Sequence, residues 1–242
     1  YNLREVPIVD DTSAVQDPAE LDAKTRMILT GEQLFASFGI QGVSLREIAS
    51  KSGQGNHFAV QYHFGSREGL VQAIFDYRMQ QMEPMRGEML AGLEKSGRTR
   101  DARSILEVIL LPQLHLDGGT NRSYGNFLSQ YLLQGNWDEF GYFGGEAPPQ
   151  LRRALKLLRE RVNYISDYAA QRRLVNVSLM FLNLLVRQGR LDEHEFPETF
   201  DSALEDTMEQ IVMAMCLPFR LTASTRAAEQ QIWEGAEKWR KR

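Results

Sequence analysis

Several features common in other classes of protein are scarce in this sequence of 242 residues. It has one cysteine, Cys216, which excludes an intrachain disulfide and argues against a cysteine-rich metal site. No apolar run reaches the roughly 18 residues of a membrane-spanning helix. The N-terminal stretch also lacks the basic and apolar segments of a signal peptide. These absences predict a cytoplasmic protein with no membrane contact.

An excess of basic charge is also missing. The formal net charge is −4, which argues against a surface coated in lysine and arginine for indiscriminate nucleic-acid binding. Residues 21–70 hold five basic and four acidic residues, a local charge of +1 that leaves −5 for the rest. This distribution permits a DNA contact near the N-terminus, although charge alone does not predict one.

What the sequence does contain is helical periodicity. Apolar residues recur at helical spacing in every long segment, and none shows the sustained alternation of a β-strand. We therefore predict an all-α fold. Residues 1–18 lack periodicity and are predicted to form a flexible arm. After a proline, the amphipathic pattern with a basic end at 219–242 predicts an extra C-terminal helix.

Three helices are predicted in the N-terminal part. The first spans 19–38 and stops at a glycine. Ser44 and Glu47 form a capping-box pattern, in which the hydroxyl accepts from the third amide and the carboxylate reaches back, at the start of a second helix over 45–52. A third short helix is predicted over 56–63, where a glycine again follows.

A much longer fourth helix follows Ser66, and Pro84 is expected to kink or break it. Beyond it, helices are predicted near 102–116, 121–134, 147–163, 167–189 and 198–216.

Two short helices joined by a glycine-containing turn are typical of the helix-turn-helix unit, whose second helix enters the DNA major groove. Apolar residues of the unit are predicted to pack on the first helix: Val43, Ile48, Ala49, Val60 and Phe64 against Leu34, Phe35 and Phe38. The polar residues of the third helix remain outside. Glutamine and asparagine pair bidentately with adenine, and histidine and tyrosine donate to phosphates or base edges.

Two stretches within 25–76, "LFASFGIQGVSLREIASKSG" and "AVQYHFGSREGLVQAIF", contain four motifs in order. These are a Phe-Gly-x-x-Gly-Val-Ser turn, an x-Glu-Ile-Ala helix, a Tyr-His-Phe ending and a Gly-Ser-(Lys/Arg)-Glu helix start. With these motifs the region resembles the tetracycline-repressor-like (TetR) transcriptional regulators. The resemblance implies a homodimer with a three-helix DNA-binding head at 19–66. It also implies a larger helical body at 67–218 for effector binding and dimerisation.

The resemblance also implies which residues contact DNA. Ser44 matches a phosphate-contacting helix cap, Arg46 a contact near the start of the second helix, and Arg67 the basic residue that heads the fourth. The implied recognition stretch comprises Asn56, His57, Ala59, Gln61, Tyr62 and His63. The span 53–64 is one residue longer than the commonest family form, so the register of its first residues is open. Phe58 either contacts a thymine methyl or sugar edge, or packs inward.

A second distinctive stretch is "QGNWDEFGYFGGEAPPQ" at 134–150. Its aromatic residues are predicted to form the mouth of a pocket for a small apolar or aromatic effector, although they can equally cap the core. The candidate effector contacts are Tyr124, Phe127, Tyr131, Trp137, Phe140, Tyr142, Met180 and Asn183.

The dimer is expected to form through the helices near 167–189 and 198–216, because the first is apolar on most faces. The second carries an apolar stripe of Phe200, Leu204, Met208, Ile211 and Met215. An ordinary intrachain core is the alternative explanation for this stripe.

The sequence does not favour metal binding or catalysis. His57 and His63 are six residues apart and fall on different sides of a helix, unlike helical zinc ligands. No nucleophile stands near them at a recognisable spacing. We therefore predict no enzyme, metal or cofactor. The predicted function is a sequence-specific transcriptional regulator, a repressor released from a palindromic double-stranded operator by its effector. The alternative is a small helical enzyme or ligand carrier with a vestigial helix-turn-helix.

Overall fold

The computed structural model of the chain describes residues 21–119, 123–134, 147–188 and 198–218. Within these ranges the chain forms nine α-helices and no β-strand, which confirms the all-α prediction. None of these helices has the length and apolar character needed to cross a membrane. The predicted arm at 1–18 and the predicted helix at 219–242 lie outside the described residues.

The helices are α1 (Ala23–Phe38), α2 (Leu45–Lys51), α3 (Ala59–Phe64), α4 (Arg67–Lys95), α5 (Ala102–Leu110), α6 (Ser123–Leu133), α7 (Pro149–Arg161), α8 (Asp167–Gln188) and α9 (Phe200–Cys216). A 3₁₀ segment, Leu111–Gly119, continues α5. The five helices predicted after the long fourth one therefore occur.

α1 begins later than the sequence pattern predicts. Asp22 has an extended backbone, and its carboxylate accepts hydrogen bonds from the amides of Lys24 (2.8 Å) and Thr25 (3.0 Å). Asp22 is thus the N-cap, and the predicted start at 19 is wrong. The end at Phe38 is confirmed, because Gly39 takes a φ of 79° that other residues rarely adopt.

Of the two hydrogen bonds of the capping box predicted at the start of α2, the one to Ser44 is confirmed. The Ser44 hydroxyl accepts from the amide of Glu47 at 3.1 Å. The carboxylate of Glu47 instead pairs with Lys51 one turn later, at 3.2 Å.

The sequence predicts a kink or a break at Pro84; α4 runs through Pro84 as one helix, so the break is wrong. A proline removes the hydrogen bond to the carbonyl four residues earlier, here that of Gln80. Both residues lie on the exposed side of the helix, where water can hydrogen bond to that carbonyl.

The core joins the N-terminal helices to the rest of the chain. α1 makes its most extensive contact with α6 and also packs on α4. The rings of Phe35 on α1, Phe75 on α4 and Phe127 on α6 are buried together, with Phe75 and Phe127 centred 5.2 Å apart. Tyr131 meets Phe75 edge to face at 4.8 Å. These aromatic contacts hold α1 against the larger set of helices.

A buried ion pair strengthens the same junction. Glu32 on α1 and Arg78 on α4 are both 0% exposed. Arg78 Nε and Nη2 donate to the two carboxylate oxygens at 2.6 and 2.8 Å. The hydroxyl of Ser123, the first residue of α6, also donates to Glu32. One carboxylate therefore links three helices.

The apolar stripe of α9 lies inside the chain. Leu204, Met208, Ile211 and Met215 are buried, and α9 packs on α8 and α5. Phe200 is partly buried against the same core. The intrachain alternative accounts for the stripe, so its periodicity no longer supports a dimer interface.

Candidate nucleic-acid interface and internal cavity

α2 and α3 turn their apolar sides inward and their polar sides outward. Ile48 and Ala49 of α2 and Val60 of α3 are fully buried, and both helices pack on neighbouring elements of the N-terminal part. Most of the predicted DNA contacts lie on the exposed side of this unit: Ser44, Arg46, Asn56, His57, Gln61, Tyr62 and His63. Tyr62 is 83% exposed.

Ala59 differs from the rest of the predicted recognition stretch. It is 8% exposed and belongs to the core. Its methyl group packs inward, so we leave Ala59 out of the interface.

α3 starts three residues later than predicted. The side-chain oxygen of Asn56 accepts from the amide of Phe58 at 2.9 Å, and the amide of Ala59 donates to the Asn56 carbonyl at 3.0 Å. These local bonds hold 56–58 in a turn, because asparagine side chains compete with helical hydrogen bonds. Residues 56–58, whose register the sequence left open, therefore precede α3. The side-chain oxygen of Asn56, which pairing with adenine requires, already accepts one hydrogen bond within the protein.

Phe58 does not pack inward. It is 56% exposed, and the guanidinium carbon of Arg46 lies 5.4 Å from its ring centre. Stacking on the face of a ring leaves the in-plane N–H groups of a guanidinium available as donors. The pair thus fixes a cation at the surface between α2 and α3.

A similar contact explains why the predicted inward packing of Phe38 is wrong. Phe38 is the last residue of α1 and is 62% exposed. The Lys51 ammonium lies 5.8 Å from its ring centre. Phe38 therefore supports a basic side chain at the surface, while Phe35 occupies the core.

Arg67 holds the loop between α1 and α2. Its Nη1 donates to the carbonyls of Ile40 and Val43, each at 2.5 Å. The phosphate contact implied by the family resemblance competes with these two bonds. Glu68 follows directly, and its pKa is lowered, first by its own backbone N–H and then by the Ser66 hydroxyl. A carboxylate at the start of α4 further disfavours a phosphate there.

An internal cavity of about 40 Å³ lies between α4, α5, α6, α7 and α8. Its walls are mainly leucine, isoleucine and methionine, with four polar side chains: Arg86, Gln113, Tyr124 and Ser178. Of the predicted effector contacts, Tyr124 lines this cavity. Phe127 and Tyr131 lie in the aromatic core instead, Met180 is partly buried outside the lining, and Asn183 is exposed. The predicted contacts Trp137, Phe140 and Tyr142 lie outside the described residues.

The polar groups of this cavity are incompletely satisfied. In the described part of the chain, three buried side-chain polar atoms lack a hydrogen-bond partner: Arg86 Nε, Gln113 Oε1 and the Tyr124 hydroxyl. All three residues line the cavity. Native proteins rarely leave such atoms unpaired, since each costs free energy.

Arg86 is the buried cation of this cavity. The sequence does not predict it as a site residue. It is 1% exposed. Its Nη1 lies 3.4 Å from a carboxylate oxygen of Glu83, and its other near partners are the sulfur atoms of Met79 (3.6 Å) and Met82 (3.5 Å). Burial lowers the pKa of Arg86, and the nearby Tyr124 and Glu83 oppose that shift. Burial raises the pKa of Tyr124, so its phenol stays protonated.

The carboxylate of Glu83 contacts both Arg86 and the start of α7. Its two oxygens accept from the amides of Gln150 at 2.8 Å and Leu151 at 3.2 Å, in the first turn of α7. A carboxylate at a helix N-terminus is stabilised by the helix dipole. Arg86 is therefore only partly neutralised.

The described residues contain no cluster of three or more side chains able to hold a metal ion. The sequence matches no model of a known protein family and no curated protein. The function is therefore inferred from the surface of α2 and α3 and from the cavity.

Proposed function

We propose that this protein is a homodimeric, sequence-specific DNA-binding transcriptional regulator, a repressor that a small-molecule effector releases from a palindromic operator. The resemblance in the N-terminal sequence suggests this function. The exposed polar side of α3 is the single observation that carries it.

The orientation of α3 on the protein surface supports this proposal. Its apolar side is buried, while Gln61, Tyr62 and His63 project from the outer side. Arg46 stands beside them on the Phe58 ring. In the proposed complex α3 enters the major groove, where Gln61 pairs with an adenine edge. Tyr62 and Arg46 bind phosphates on either side and so fix the position of α3.

Reading a palindrome requires two copies of this surface about one DNA turn apart, roughly 34 to 36 Å. The proposed dimer uses the outer sides of α8 and α9. Asn183 is exposed there, and Met213 on α9 is one of the most exposed large apolar side chains of the described residues. A symmetric pairing of these sides would cover them.

α4 is the proposed connection between effector and DNA. Its first residue, Arg67, holds the loop before α2, and Arg78 holds α1. Arg86, farther along the same helix, lines the cavity. An effector that binds better to a state with wider-spaced α3 helices draws the population away from the operator. It can do so only by its difference in affinity for the two states.

The test is a selection from random double-stranded DNA with the full chain at near-physiological salt, followed by affinity measurements on the enriched sequence. A pseudo-palindrome with half-sites one turn apart is expected. Gln61→Ala should then weaken binding by about 1 to 3 kcal/mol and relax the preference at one base pair of each half-site. Gln33→Ala, an exposed glutamine on α1, is the matched control and should bind as the unsubstituted protein does.

If a folded dimer enriches no sequence, the regulator is refuted. The cavity would then favour the second candidate, a ligand carrier with a vestigial helix-turn-helix. Unchanged sequence preference in Gln61→Ala would reject base recognition by Gln61 alone.

A further inference from the structure

We propose that the cavity binds a short-chain organic acid, whose carboxylate accepts hydrogen bonds from Arg86 and Tyr124. This inference rests on the proposed function and deepens it, because it names the chemical class of the effector. It replaces the apolar or aromatic effector expected from the sequence.

Arg86 supplies the charge that selects an anion. A guanidinium has five N–H donors and no acceptor. Arg86 has one carboxylate oxygen, of Glu83, at 3.4 Å, and two thioether sulfurs at 3.5 and 3.6 Å, while its Nε has no partner. Thioethers are weak acceptors, and a buried cation needs full pairing to offset its loss of hydration. A bound carboxylate would supply that pairing.

Tyr124 supplies a neutral donor beside the cation. Its hydroxyl is buried and unpartnered, and the phenol interacts electrostatically with Arg86. A carboxylate has two oxygens, so one accepts from the guanidinium while the other accepts from the phenol. Two donors of this kind favour a planar carboxylate over a neutral ligand of equal size.

Gln113 indicates that the ligand also carries a hydrogen-bond donor. Its unpartnered atom, Oε1, is an acceptor, so it requires a donor from the ligand. A hydroxyl on the acid provides one. A hydroxy acid therefore offers a partner to each of the three unpartnered atoms of the cavity, whereas a simple acid offers partners to two.

The size and lining of the cavity restrict the rest of the molecule. An engineered cavity that binds benzene measures about 150 Å³, whereas this one measures about 40 Å³. It therefore fits an acid with fewer non-hydrogen atoms than benzene, such as acetate or glycolate. The aliphatic walls suit the carbon atoms, and Met79 and Met82 are flexible enough to move aside for them. A single cation amid apolar walls is a poor match for inorganic phosphate, which carries more charge and more oxygens.

The experiment is calorimetric titration of the full chain without DNA, using acetate, glycolate, acetamide and inorganic phosphate as probes. We expect glycolate to bind more tightly than acetate. Acetamide, which has the same shape without the charge, should bind at least about tenfold more weakly than acetate. Phosphate should not bind.

Three variants test the residues. Arg86→Met should abolish acid binding, and Tyr124→Phe, which removes one hydroxyl and keeps the ring, should weaken it by about tenfold. Arg152→Gln is the charge-matched control, because Arg152 is exposed on α7, and it should bind as the unsubstituted protein does. If Arg86→Met does not fold, Tyr124→Phe decides the question.

The proposal is overturned if no acid binds at millimolar concentration, if acetamide binds as well as acetate, or if Tyr124→Phe and a folded Arg86→Met leave acid binding unchanged. Because DNA is absent, this experiment measures acid binding separately from operator binding. Acid binding without an enriched operator supports this inference and refutes the regulator. An enriched operator without acid binding refutes this inference alone.

Discussion

Replacing Glu32 with glutamine should lower the free energy of unfolding by about 3 to 5 kcal/mol. The reason is the environment of Arg78, which is 0% exposed and donates hydrogen bonds to both carboxylate oxygens of Glu32, at 2.6 and 2.8 Å. Glutamine keeps the size of the side chain but removes its charge, so a buried guanidinium loses its counterion. Since domains of ordinary stability unfold at a cost of about 5 to 15 kcal/mol, this loss is a large fraction of the total.

The assay is urea unfolding of a double-mutant cycle, with Glu32→Met, Arg78→Met and the double variant. Each single variant leaves one buried charge and should be strongly destabilised. The double variant removes both charges and should regain most or all of the loss, because apolar residues of similar volume often replace a buried pair without cost. Glu47→Gln breaks the exposed pair with Lys51 and should cost no more than about 0.5 kcal/mol. A loss below about 1 kcal/mol in Glu32→Gln, similar to that control, would refute the buried pair.

Two further predictions concern the N-terminal helices. Arg67→Met should lower the free energy of unfolding by about 1 to 3 kcal/mol, because it removes the donor to the carbonyls of Ile40 and Val43. If Arg67 binds a phosphate instead, the same variant should reduce the slope of log affinity for the operator against log salt concentration by about one. The pKa of Asp22 is lowered, chiefly by the hydrogen bond from the Thr25 hydroxyl. The charged cap therefore stabilises α1 at neutral pH and this contribution is lost as the pH falls through about 4 and below. Asp22→Asn retains a cap without the charge, so the stability difference between the two proteins, followed by urea unfolding, should shrink toward acid pH. A difference that stays constant with pH would contradict this.

Local patterns predicted most of the helices because a helix end is set by nearby residues. Gly39 and Ser44 act through their own backbone angle and hydroxyl, and each is visible in the sequence. The same short range explains the error at α3. The sequence predicts Asn56 inside that helix, but its side-chain oxygen accepts a hydrogen bond from the amide of Phe58. Residues 56–58 therefore form a turn and α3 begins after them.

The candidate sites depend on contacts that no local pattern encodes. Glu32 lies among buried apolar residues of α1, which signals a buried charge, but its partner Arg78 is 46 positions away. The aromatic residues of the sequence predict Tyr124 as a residue of the cavity. They do not predict Arg86 or Gln113, because a charged or amide side chain in an amphipathic helix is ordinarily exposed.

The position of Glu83 suggests how a ligand in the cavity would act on the rest of the molecule. Glu83 contacts both Arg86 and the first amides of α7. In the proposed complex, a carboxylate bound at Arg86 lies close to the carboxylate of Glu83. Repulsion between the two like charges would favour a shift of Glu83 toward the α7 amides that already donate to it. Arg78 lies on α4 between Arg67 and Arg86 and binds Glu32 on α1. A movement of α4 that starts at the cavity would therefore be transmitted to α1 through the pair of Glu32 and Arg78, because breaking one partner from a buried pair is costly.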